Sequence, residues 1–265
     1  MTTVLLLHPR LAALRGGTPA AEAARIDALP VLRAFTRSRT TDAAVVDAPG
    51  LGPIVRKRRW WPRSSDRLKG AFRTTVAAPS PARREHDALL RLRALPSGPF
   101  APEPLGVIEE RSRGVLQACT LLVEAVPDAV DLAEFLAAET SADRRHAVLS
   151  DLARRTREMH AAGLADREHH PRNVLVAGRR TWKVDCWKQR ARRGPCGTRD
   201  VLTDVAALDV GLVRLATPEE RTAFLAAVLA TNDGGPPSAA LLARLDAERA
   251  RIDERESLRL PRAGR

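Results

Sequence analysis

The sequence predicts an α+β protein with two lobes, in which a small β-rich lobe precedes a larger helical one. Short apolar runs separated by turn residues fill the first half, which also holds one clear amphipathic helix, whereas most of the second half has helical periodicity. The change falls near residues 124–130. We therefore expect a first lobe of residues 1–125, with a helical N-terminal extension, and a second lobe of residues 126–265.

In the first lobe, a helix is expected after Thr18 and Pro19, in the stretch RGGTPAAEAARIDALPVLRAF. The stretch DAAVVDAPGLGPIVRKRRW predicts two strands joined by a turn, as in a hairpin. Another helix is expected where Ser80 suits the N-cap and Pro81 the first helical position. The residues of its apolar face are Leu89, Leu90, Leu92 and Leu95. PEPLGVIEE and GVLQACTLLVEAV then predict two strands, the second continuously apolar like a buried strand.

In the second lobe, DLAEFLAA predicts a short helix, and a long helix follows with Ser141 as its cap and Gly163 as its end. NVLVAG and TWKVDCW predict two short strands joined by the turn GRR. The remainder is helical. Thr217 begins one helix with a capping box, and SAALLARLDAERARIDERE predicts another.

Composition restricts the class of protein. The formal net charge of +12 predicts an anionic partner, such as phosphate, nucleic acid or an acidic membrane face, unless it only reflects Arg-rich coding. Three cysteines without a CxxC motif argue against a disulfide framework and a zinc ribbon, and favour a reducing, cytoplasmic location. The opening apolar run lacks a basic segment before it, so we expect no signal peptide. No stretch approaches the ~20 apolar residues that span a bilayer.

Candidate residues for phosphoryl transfer occur in the order that this chemistry requires. A strand lysine holds phosphates, a helix acid holds that lysine, a loop carboxylate orients the acceptor hydroxyl, and an Asn and an Asp bind magnesium. Lys57 ends the predicted strand PIVRK, and Glu85 lies in the first turns of the helix after Ser80. Each has a simpler alternative. Lys57 is one of several solvated basic residues beside Arg56 and Arg58, and Glu85 is a favourable charge near a helix N-terminus.

The stretch MHAAGLADREHHPRNVLV contains the central motif. Glu168 and Asn173 are five residues apart, the spacing of the loop carboxylate and the metal-binding Asn in H-R-D-x-x-x-x-N. Asp185 follows twelve residues after Asn173, just beyond a second short strand, where a magnesium-binding Asp belongs. An E-x4-N pair alone is a weak signal. The order of helix, glycine, E-x4-N, strand, turn, strand and Asp is much more specific.

Together these segments resemble a protein-kinase-like phosphotransferase with a bilobal fold, and more narrowly the bacterial lipopolysaccharide-core kinases, the Kdo and heptose kinase family. The resemblance covers roughly residues 45–230, including IVRKRR, LLVEAVPDAVDLAEFL and WKVDCWKQRARRG. It implies ATP and Mg²⁺ as cofactors, a sugar hydroxyl of a lipopolysaccharide core or related glycolipid as acceptor, and a hinge at Glu124–Pro127 whose backbone meets adenine. The implied site residues are Glu168 and Asp166 for catalysis, Lys57, Glu85 and Glu124 for the nucleotide, and Asn173 and Asp185 for the metal.

The catalytic loop departs from the family pattern. Where the family has His-Arg/Gly-Asp, this chain has Asp166-Arg167-Glu168. Glutamate keeps the charge but adds a methylene, and a misplacement near 1 Å can cost about a hundredfold in rate. Asp166 is the candidate to compensate. Two hypotheses stay open, an active kinase that uses Glu168 and a pseudokinase-like module that binds nucleotide without efficient turnover.

Two basic stretches have competing interpretations. RKRRWWPR is either a patch for peripheral contact with an anionic membrane surface, on the inner face of the cell membrane, or a solvated run beside a packed tryptophan. KQRARRG follows Asp185 and either holds phosphates of the acceptor, through Arg190, Arg192 and Arg193, or is a solvated loop. Nucleic acid is not an expected partner, because the chain has no RNA-binding or helix-turn-helix signature.

Three smaller features complete the predictions. APGLGPIV is either a phosphate-covering turn or a plain hairpin turn. The histidines His160, His169 and His170 lack the spacing of a metal site, so packing and loop roles are expected. Asp204 is expected to tie the catalytic loop to a helix N-terminus, which is a structural role.

Overall fold

The computed structural model describes residues 2–61, 78–230 and 235–257. The chain divides into two compact units. The first comprises Met1–Arg93 and Ala101–Val126, and the second Ala94–Phe100 and Pro127–Arg265. The segment Ala94–Phe100, which the sequence assigns to the first lobe, therefore belongs with the second unit.

The first unit is built on a six-stranded antiparallel sheet with the strand order β1-β5-β6-β4-β3-β2. The strands are β1 (Thr2–Leu7), β2 (Val31–Arg37), β3 (Thr41–Ala48), β4 (Gly52–Trp60), β5 (Pro104–Ser112) and β6 (Val115–Glu124). The helices described in this unit are α1 (Pro19–Asp27) and α2 (Pro81–Arg93), with a short 3-10 segment at Pro9–Leu14.

The N-terminal residues correct the predicted helical extension. Helix α1 begins as expected, because the Thr18 side chain accepts a hydrogen bond from the backbone N–H of Ala21 at 3.3 Å. It ends at Asp27, however, and the following VLRAFTR is the edge strand β2. Pro30 separates the two elements and cannot continue a helix, which explains the change. The other edge strand, β1, was also missed, because TTVLLL shows no alternation of polar and apolar residues.

The remaining elements of this unit follow the sequence prediction. Strands β3 and β4 form the expected hairpin, with Ala48 paired to Gly52. The Ser80 hydroxyl caps α2 by accepting from the Arg83 N–H at 3.0 Å. Leu89, Leu92 and Leu95 are buried, but Leu90 is 48% exposed and is not part of the apolar face. Each helical residue rotates about 100°, so Leu90 points away from the stripe that its neighbours form.

The second unit is mainly helical. Its described helices are α3 (Leu132–Ala138), α4 (Ala142–Ala161), α5 (Thr198–Leu215), α6 (Pro218–Val228) and α7 (Ala239–Ser257). Short strands connect them, namely β7 (Val130–Asp131), β8 (Leu164–Ala165), β9 (Val174–Ala177), β10 (Arg180–Lys183) and β11 (Arg190–Ala191). Strands β10, β9 and β7 form one sheet in that order, and β11 pairs with β8.

The predicted helix ends are present. Ser141 caps α4, and Thr217 with Glu220 forms the capping box of α6. Gly163 follows α4 with φ of 75°, and a Cβ there would lie 2.3 Å from the Gly194 carbonyl oxygen. Only glycine fits this turn without strain, so α4 ends here and the chain enters β8. None of the helices that the structure describes is long and apolar enough to cross a membrane.

Candidate active site

Lys57 occupies the middle of the first unit's sheet. Strand β4 lies between β3 and β6, and Lys57 pairs with Ala43 on one side and Leu121 on the other. Its Nζ lies 2.7 Å from Glu85 Oε1, with the side chains 19% and 5% exposed respectively. The helix acid expected to hold Lys57 therefore contacts it. Their roles toward a nucleotide remain predictions.

The neighbours of Lys57 have other partners, because successive side chains of a strand point to opposite faces of the sheet. Arg56 donates to Asp42 at 3.2 Å and to the backbone oxygen of Asp27 at 2.6 Å. Arg58 forms ion pairs with Asp27 and Glu110. Lys57 is therefore distinguished from Arg56 and Arg58 by its partner, although the sequence alone did not distinguish the three basic residues.

The glycine-containing turn does not lie near Lys57. It joins β3 and β4 at Ala48 and Gly52, five residues before Lys57, or about 17 Å at strand spacing. It is a plain hairpin turn. The turn at the other end of β3, from Ser38 to Thr40, is nearer, since Trp60 N–H donates to the Thr40 oxygen at 3.1 Å. This second turn contains no glycine, so no sequence motif indicated it.

Glu124 ends β6, and its side chain is committed within the first unit. Both terminal nitrogens of Arg10 donate to Glu124 Oε1 at 3.1 Å. The backbone N–H of Glu124 donates to the Glu103 oxygen at 2.8 Å. Any hinge role of Glu124 therefore rests on its backbone, as the sequence prediction states, and not on its carboxylate.

The loop from Asp166 to Asn173 connects β8 to β9 and is anchored by α5. Asp204, 1% exposed on α5, accepts the Asp166 backbone N–H at 2.7 Å and contacts His160 Nε2 at 3.1 Å. Burial raises the pKa of Asp204, and its contact with His160 opposes that rise. The expected tie between Asp204 and the loop is present, but Asp204 is the seventh residue of α5 and does not lie at its N-terminus.

Asp166 itself does not suit a catalytic role. Its side chain is fully buried and lies 2.7 Å from the Nζ of Lys183, which is also fully buried. Its other carboxylate oxygen accepts the Glu168 backbone N–H at 3.1 Å. A carboxylate enclosed in this way cannot meet an acceptor hydroxyl. This corrects the expectation that Asp166 is catalytic and compensates for Glu168.

Glu168 is the exposed carboxylate of the loop, with 33% of its side chain accessible. Lys188 Nζ forms an ion pair with its Oε1, and His170 Nε2 lies 3.9 Å from its Oε2. The pairing of β11 with β8 holds the Lys188 segment beside the loop. Lys188 is a functional candidate that the sequence placed only in a basic stretch, because its contact with Glu168 depends on this pairing.

Asn173 and Asp185 are brought together by the β9–β10 hairpin. The Val184 N–H donates to the Asn173 backbone oxygen at 3.0 Å, which sets Asp185 next to Asn173. The Asn173 side-chain nitrogen donates to the Glu168 carbonyl at 2.9 Å, so the amide oxygen is the atom left for a cation. Asp185 has φ of 56°, a left-handed conformation that costs a non-glycine residue about 1–3 kcal/mol and concentrates at functional sites.

An Asn oxygen and one carboxylate are a chemically suitable pair for Mg²⁺. This ion keeps several waters and uses one or two carboxylates plus substrate phosphates. Among the described residues, no group of three or more His, Cys, Asp and Glu could hold a metal ion. The oxygens of Asn173 and Asp185 are candidates for two of the ligands of such an ion.

The loop histidines have packing roles. His169 is fully buried, contacts Thr156 Oγ1 at 3.1 Å and meets the edge of the Phe100 ring at 6.5 Å between centroids. Burial holds the pKa of His169 well below its usual value, and the nearby Lys183 lowers it further. His160 binds Asp204, as described above. His170 borders Glu168 and is more exposed.

Some arginines of the two basic stretches form ion pairs with acidic residues of the protein. Arg192 binds Asp200 at 2.6 Å, and Arg190 is exposed in β11. In RKRRWWPR, Arg56 and Arg58 are paired within the first unit. Trp60 and Trp61 are half-buried, and the last two residues of the proposed membrane patch, Pro62 and Arg63, lie outside the described residues.

Comparisons with known proteins place these features in context. A family model described as the lipopolysaccharide kinase (Kdo/WaaP) family matches residues 55–224, from β4 to α6. A solved structure described as WaaP in complex with acyl carrier protein matches with a TM-score of 0.65 and 19% identity, over 94% of this chain and 99% of that one. At this identity the likeness shows the fold alone. No curated protein matches the sequence.

Proposed function

The chain belongs to the lipopolysaccharide kinase (Kdo/WaaP) family, and we propose that it transfers the γ-phosphoryl group of ATP to a core-sugar hydroxyl through Glu168, Asn173 and Asp185. Family membership makes it a phosphotransferase with an alcohol group as acceptor and confirms the predicted family. The match to the WaaP structure confirms the predicted fold class. The residue roles, the nucleotide and the acceptor's position are our proposals.

One observation carries the proposal. Asn173 donates through its side chain to the Glu168 carbonyl and accepts through its backbone from the residue before Asp185. A loop carboxylate, an amide and a second carboxylate therefore share one hydrogen-bonded arrangement in the second unit. These are the oxygen-bearing groups that phosphoryl transfer requires near the acceptor hydroxyl and the metal.

In the first unit, Lys57 is the candidate for the nucleotide phosphates. The buried Glu85 holds the ammonium group in one position, which reduces the entropy lost when phosphate binds. The Ser38–Thr40 turn is the candidate to cover the phosphates, since it lies at the same end of the sheet as Lys57. Glu124 would offer its backbone carbonyl to adenine, because Glu103 already accepts its N–H.

Asn173 and Asp185 are the candidates to hold Mg²⁺, which would neutralise charge on the phosphates when bound. Glu168 then acts as the base that takes the proton of the acceptor hydroxyl. Lys188 steadies the Glu168 carboxylate and reduces its repulsion by phosphate oxygens. The extra methylene of glutamate is accommodated because this contact holds the longer side chain.

The acceptor is an anionic glycolipid in this proposal, and the exposed Arg190 and Arg193 are candidates to bind its phosphates. Peripheral contact with an anionic membrane surface would follow from the same charge. The solved WaaP is in complex with acyl carrier protein, so such a protein is a candidate partner for this chain as well.

The alternative is a nucleotide-binding module without efficient turnover. It is favoured by the ion pair between Glu168 and Lys188, since the ammonium group occupies a carboxylate oxygen that an acceptor hydroxyl would otherwise meet. The two functions differ in one respect. Both predict magnesium-dependent ATP binding, but only the kinase transfers phosphate.

Two assays on the same protein separate these functions. The first is a thermal-shift titration with ATP and Mg²⁺, and the second measures transfer of radiolabelled phosphate from ATP to dephosphorylated lipopolysaccharide. We expect stabilisation by ATP with Mg²⁺ and labelling of the lipopolysaccharide. Stabilisation without labelling would favour the binding module, and absence of both would refute the proposed site.

A further inference from the structure

We propose that the buried ion pair of Lys183 and Asp166 is a positioning device, which fixes the main chain of Glu168 and ties it to the segment that carries Asp185. This inference rests on the proposed function, because it assigns Glu168 the role of base. Neither residue touches the substrate. Both act through the peptide groups that they hold.

Lys183 has three oxygen partners within the second unit. Its Nζ lies 2.7 Å from Asp166 Oδ2. It also donates to the Val184 carbonyl at 2.9 Å and to the Glu168 carbonyl at 3.4 Å. One ammonium group therefore joins the catalytic loop to the peptide immediately before Asp185.

Asp166 completes the arrangement from the other side. Its Oδ1 accepts the Glu168 N–H at 3.1 Å, while its own N–H is held by Asp204 at 2.7 Å. The peptide groups on both sides of the Glu168 Cα are thus fixed, the N–H by Asp166 and the C=O by Lys183 and Asn173. With both ends held, the side chain of Glu168 starts from one defined backbone position.

The energetics favour a positioning role over a purely stabilising one. A lysine is almost never fully buried unless it is paired. Taking both charges out of water costs free energy that their attraction often fails to recover, and apolar residues of similar volume frequently stabilise a fold equally well. An apolar pair, however, has no acceptor for the Glu168 N–H and no donor for the Val184 carbonyl. The Glu168 carbonyl also accepts from the Asn173 side chain at 2.9 Å and from the His170 N–H at 3.0 Å, so the contacts that the pair itself contributes are those to the Glu168 N–H and the Val184 carbonyl.

The local sequence explains how the pair forms. Lys183 is the last residue of β10, where the exposed Arg180 is followed by residues that alternate between buried and half-buried positions. This alternation turns Lys183 inward, and its backbone N–H donates to the Phe100 oxygen at 2.7 Å. Asp166 is the first residue after β8. Two strand ends therefore bring the charges together inside the unit.

The test is a charge-free double variant, Asp166→Leu with Lys183→Met, which removes both charges together with the acceptor of the Glu168 N–H and the donor to the Val184 carbonyl. We expect a folded protein with a melting temperature near that of the wild type, because both charges are removed together. Its kcat should fall about a hundredfold, as for a base displaced by about 1 Å. Its KM for ATP should change less than about threefold, because an interaction of the transition state has been lost. The assay is phosphate transfer from ATP to dephosphorylated lipopolysaccharide.

A second double variant, Asp166→Asn with Lys183→Gln, tests rescue. Glutamine keeps a donor for the neighbouring carbonyls, so kcat should recover at least about tenfold relative to the methionine variant, a fraction of the hundredfold loss. The matched control is Asp209→Asn with Arg221→Met, which removes an ion pair between the fully buried Asp209 of α5 and the half-buried Arg221 of α6, while Arg249 keeps an oxygen of residue 209 as a partner. This control should keep the wild-type kcat.

The outcomes are separable from those of the proposed function. Glu168→Gln is assayed in parallel, and its retained activity would remove Glu168 as the base. If Glu168→Gln is inactive while the methionine variant is folded and keeps a kcat within about threefold of the wild type, the positioning role is wrong. Should the methionine variant Asp166→Leu with Lys183→Met fail to fold, the same kcat criterion applies to Asp166→Asn with Lys183→Met, which loses the hydrogen bonds of Lys183 and keeps an acceptor for the Glu168 N–H.

Discussion

Lys57 Nζ and Glu85 Oε1 lie 2.7 Å apart, although the two residues are 28 positions apart in the sequence. One comes from a central strand and the other from the helix that packs on the same sheet. The contact is sheltered, with Glu85 only 5% exposed. A buried carboxylate with a half-sheltered ammonium partner fixes the direction of the lysine, which is what binding of a phosphate demands.

Substitution of Lys57 by methionine should remove the phosphate contact without leaving a cavity. We expect kcat/KM for ATP to fall at least about a hundredfold, the usual cost of losing a charge-stabilising donor. Glu85→Gln should cause a smaller loss, because the lysine stays but is less well held. Steady-state kinetics of phosphate transfer measure both. Arg33→Met, at an exposed position of β2, is the control. Equal losses of kcat/KM in the Lys57, Glu85 and Arg33 variants would contradict a specific role for Lys57.

Replacement of Glu168 by glutamine should lower kcat by about 10² to 10⁴, the range for a general base. Glu168→Asp should lower it by about a hundredfold, because the carboxylate moves by about 1 Å and leaves Lys188. Single-turnover measurements with ATP in excess separate chemistry from binding. Glu219→Gln, in the exposed first turn of α6, controls for loss of a carboxylate. An aspartate variant faster than the wild type would show that Glu168 is a detuned base.

Gly211 lets helix α5 approach the catalytic loop closely. A Cβ at this position would lie 2.5 Å from Pro171 Cγ, in the loop between Glu168 and Asn173. Gly211→Ala should therefore destabilise the protein by about 1–3 kcal/mol through overpacking and lower kcat by displacing the loop. Chemical denaturation and the transfer assay measure the two effects. Gly197→Ala, where no atom lies within 4 Å of the added Cβ, should leave kcat unchanged.

The buried His169 should make stability depend on pH in one direction. Burial holds its pKa well below the usual value in the folded protein, so below about pH 6.5 the unfolded chain binds a proton that the folded chain does not. The free energy of unfolding should therefore decrease as pH falls below 6.5, by up to about 1.4 kcal/mol per pH unit. His169→Gln should flatten this slope. Denaturation series at pH 5 to 8 measure the slope of the free energy of unfolding against pH. His146→Gln, at an exposed position, is the control for loss of a histidine. An unchanged slope in His169→Gln would contradict the assignment of this pH dependence to His169.

The sequence predicted best those elements whose start or end depends on residues close together in the chain. The caps at Ser80, Ser141 and Thr217 identified three helices, because capping involves residues only a few positions apart. Strand β1 was missed, since Thr2 pairs with Arg111 and nothing near Thr2 reports that partner. Non-local pairing decides edge strands, so residues 1–40 were the part of the fold that the sequence predicted least well.

The candidate site shows the same division. Glu168, Asn173 and Asp185 were predicted from their spacing, because one loop and one hairpin carry all three. Lys183 was not found, since a single lysine in a short strand looks solvent-facing until its burial is known. The misassignment of Asp166 has the same cause. Its partner lies 17 residues away and is visible only in the folded chain.

The most direct test of the central claim is phosphate transfer from radiolabelled ATP to dephosphorylated lipopolysaccharide, with and without Mg²⁺, by the wild type and by Asp185→Asn. The exposed Asp143→Asn, in the first turn of α4, is the matched control. We predict magnesium-dependent labelling by the wild type and by the control, and a loss of at least about a hundredfold in Asp185→Asn. Labelling by Asp185→Asn at the wild-type rate would contradict the assigned site, and absence of labelling by a folded wild-type protein that binds ATP would contradict the kinase activity itself.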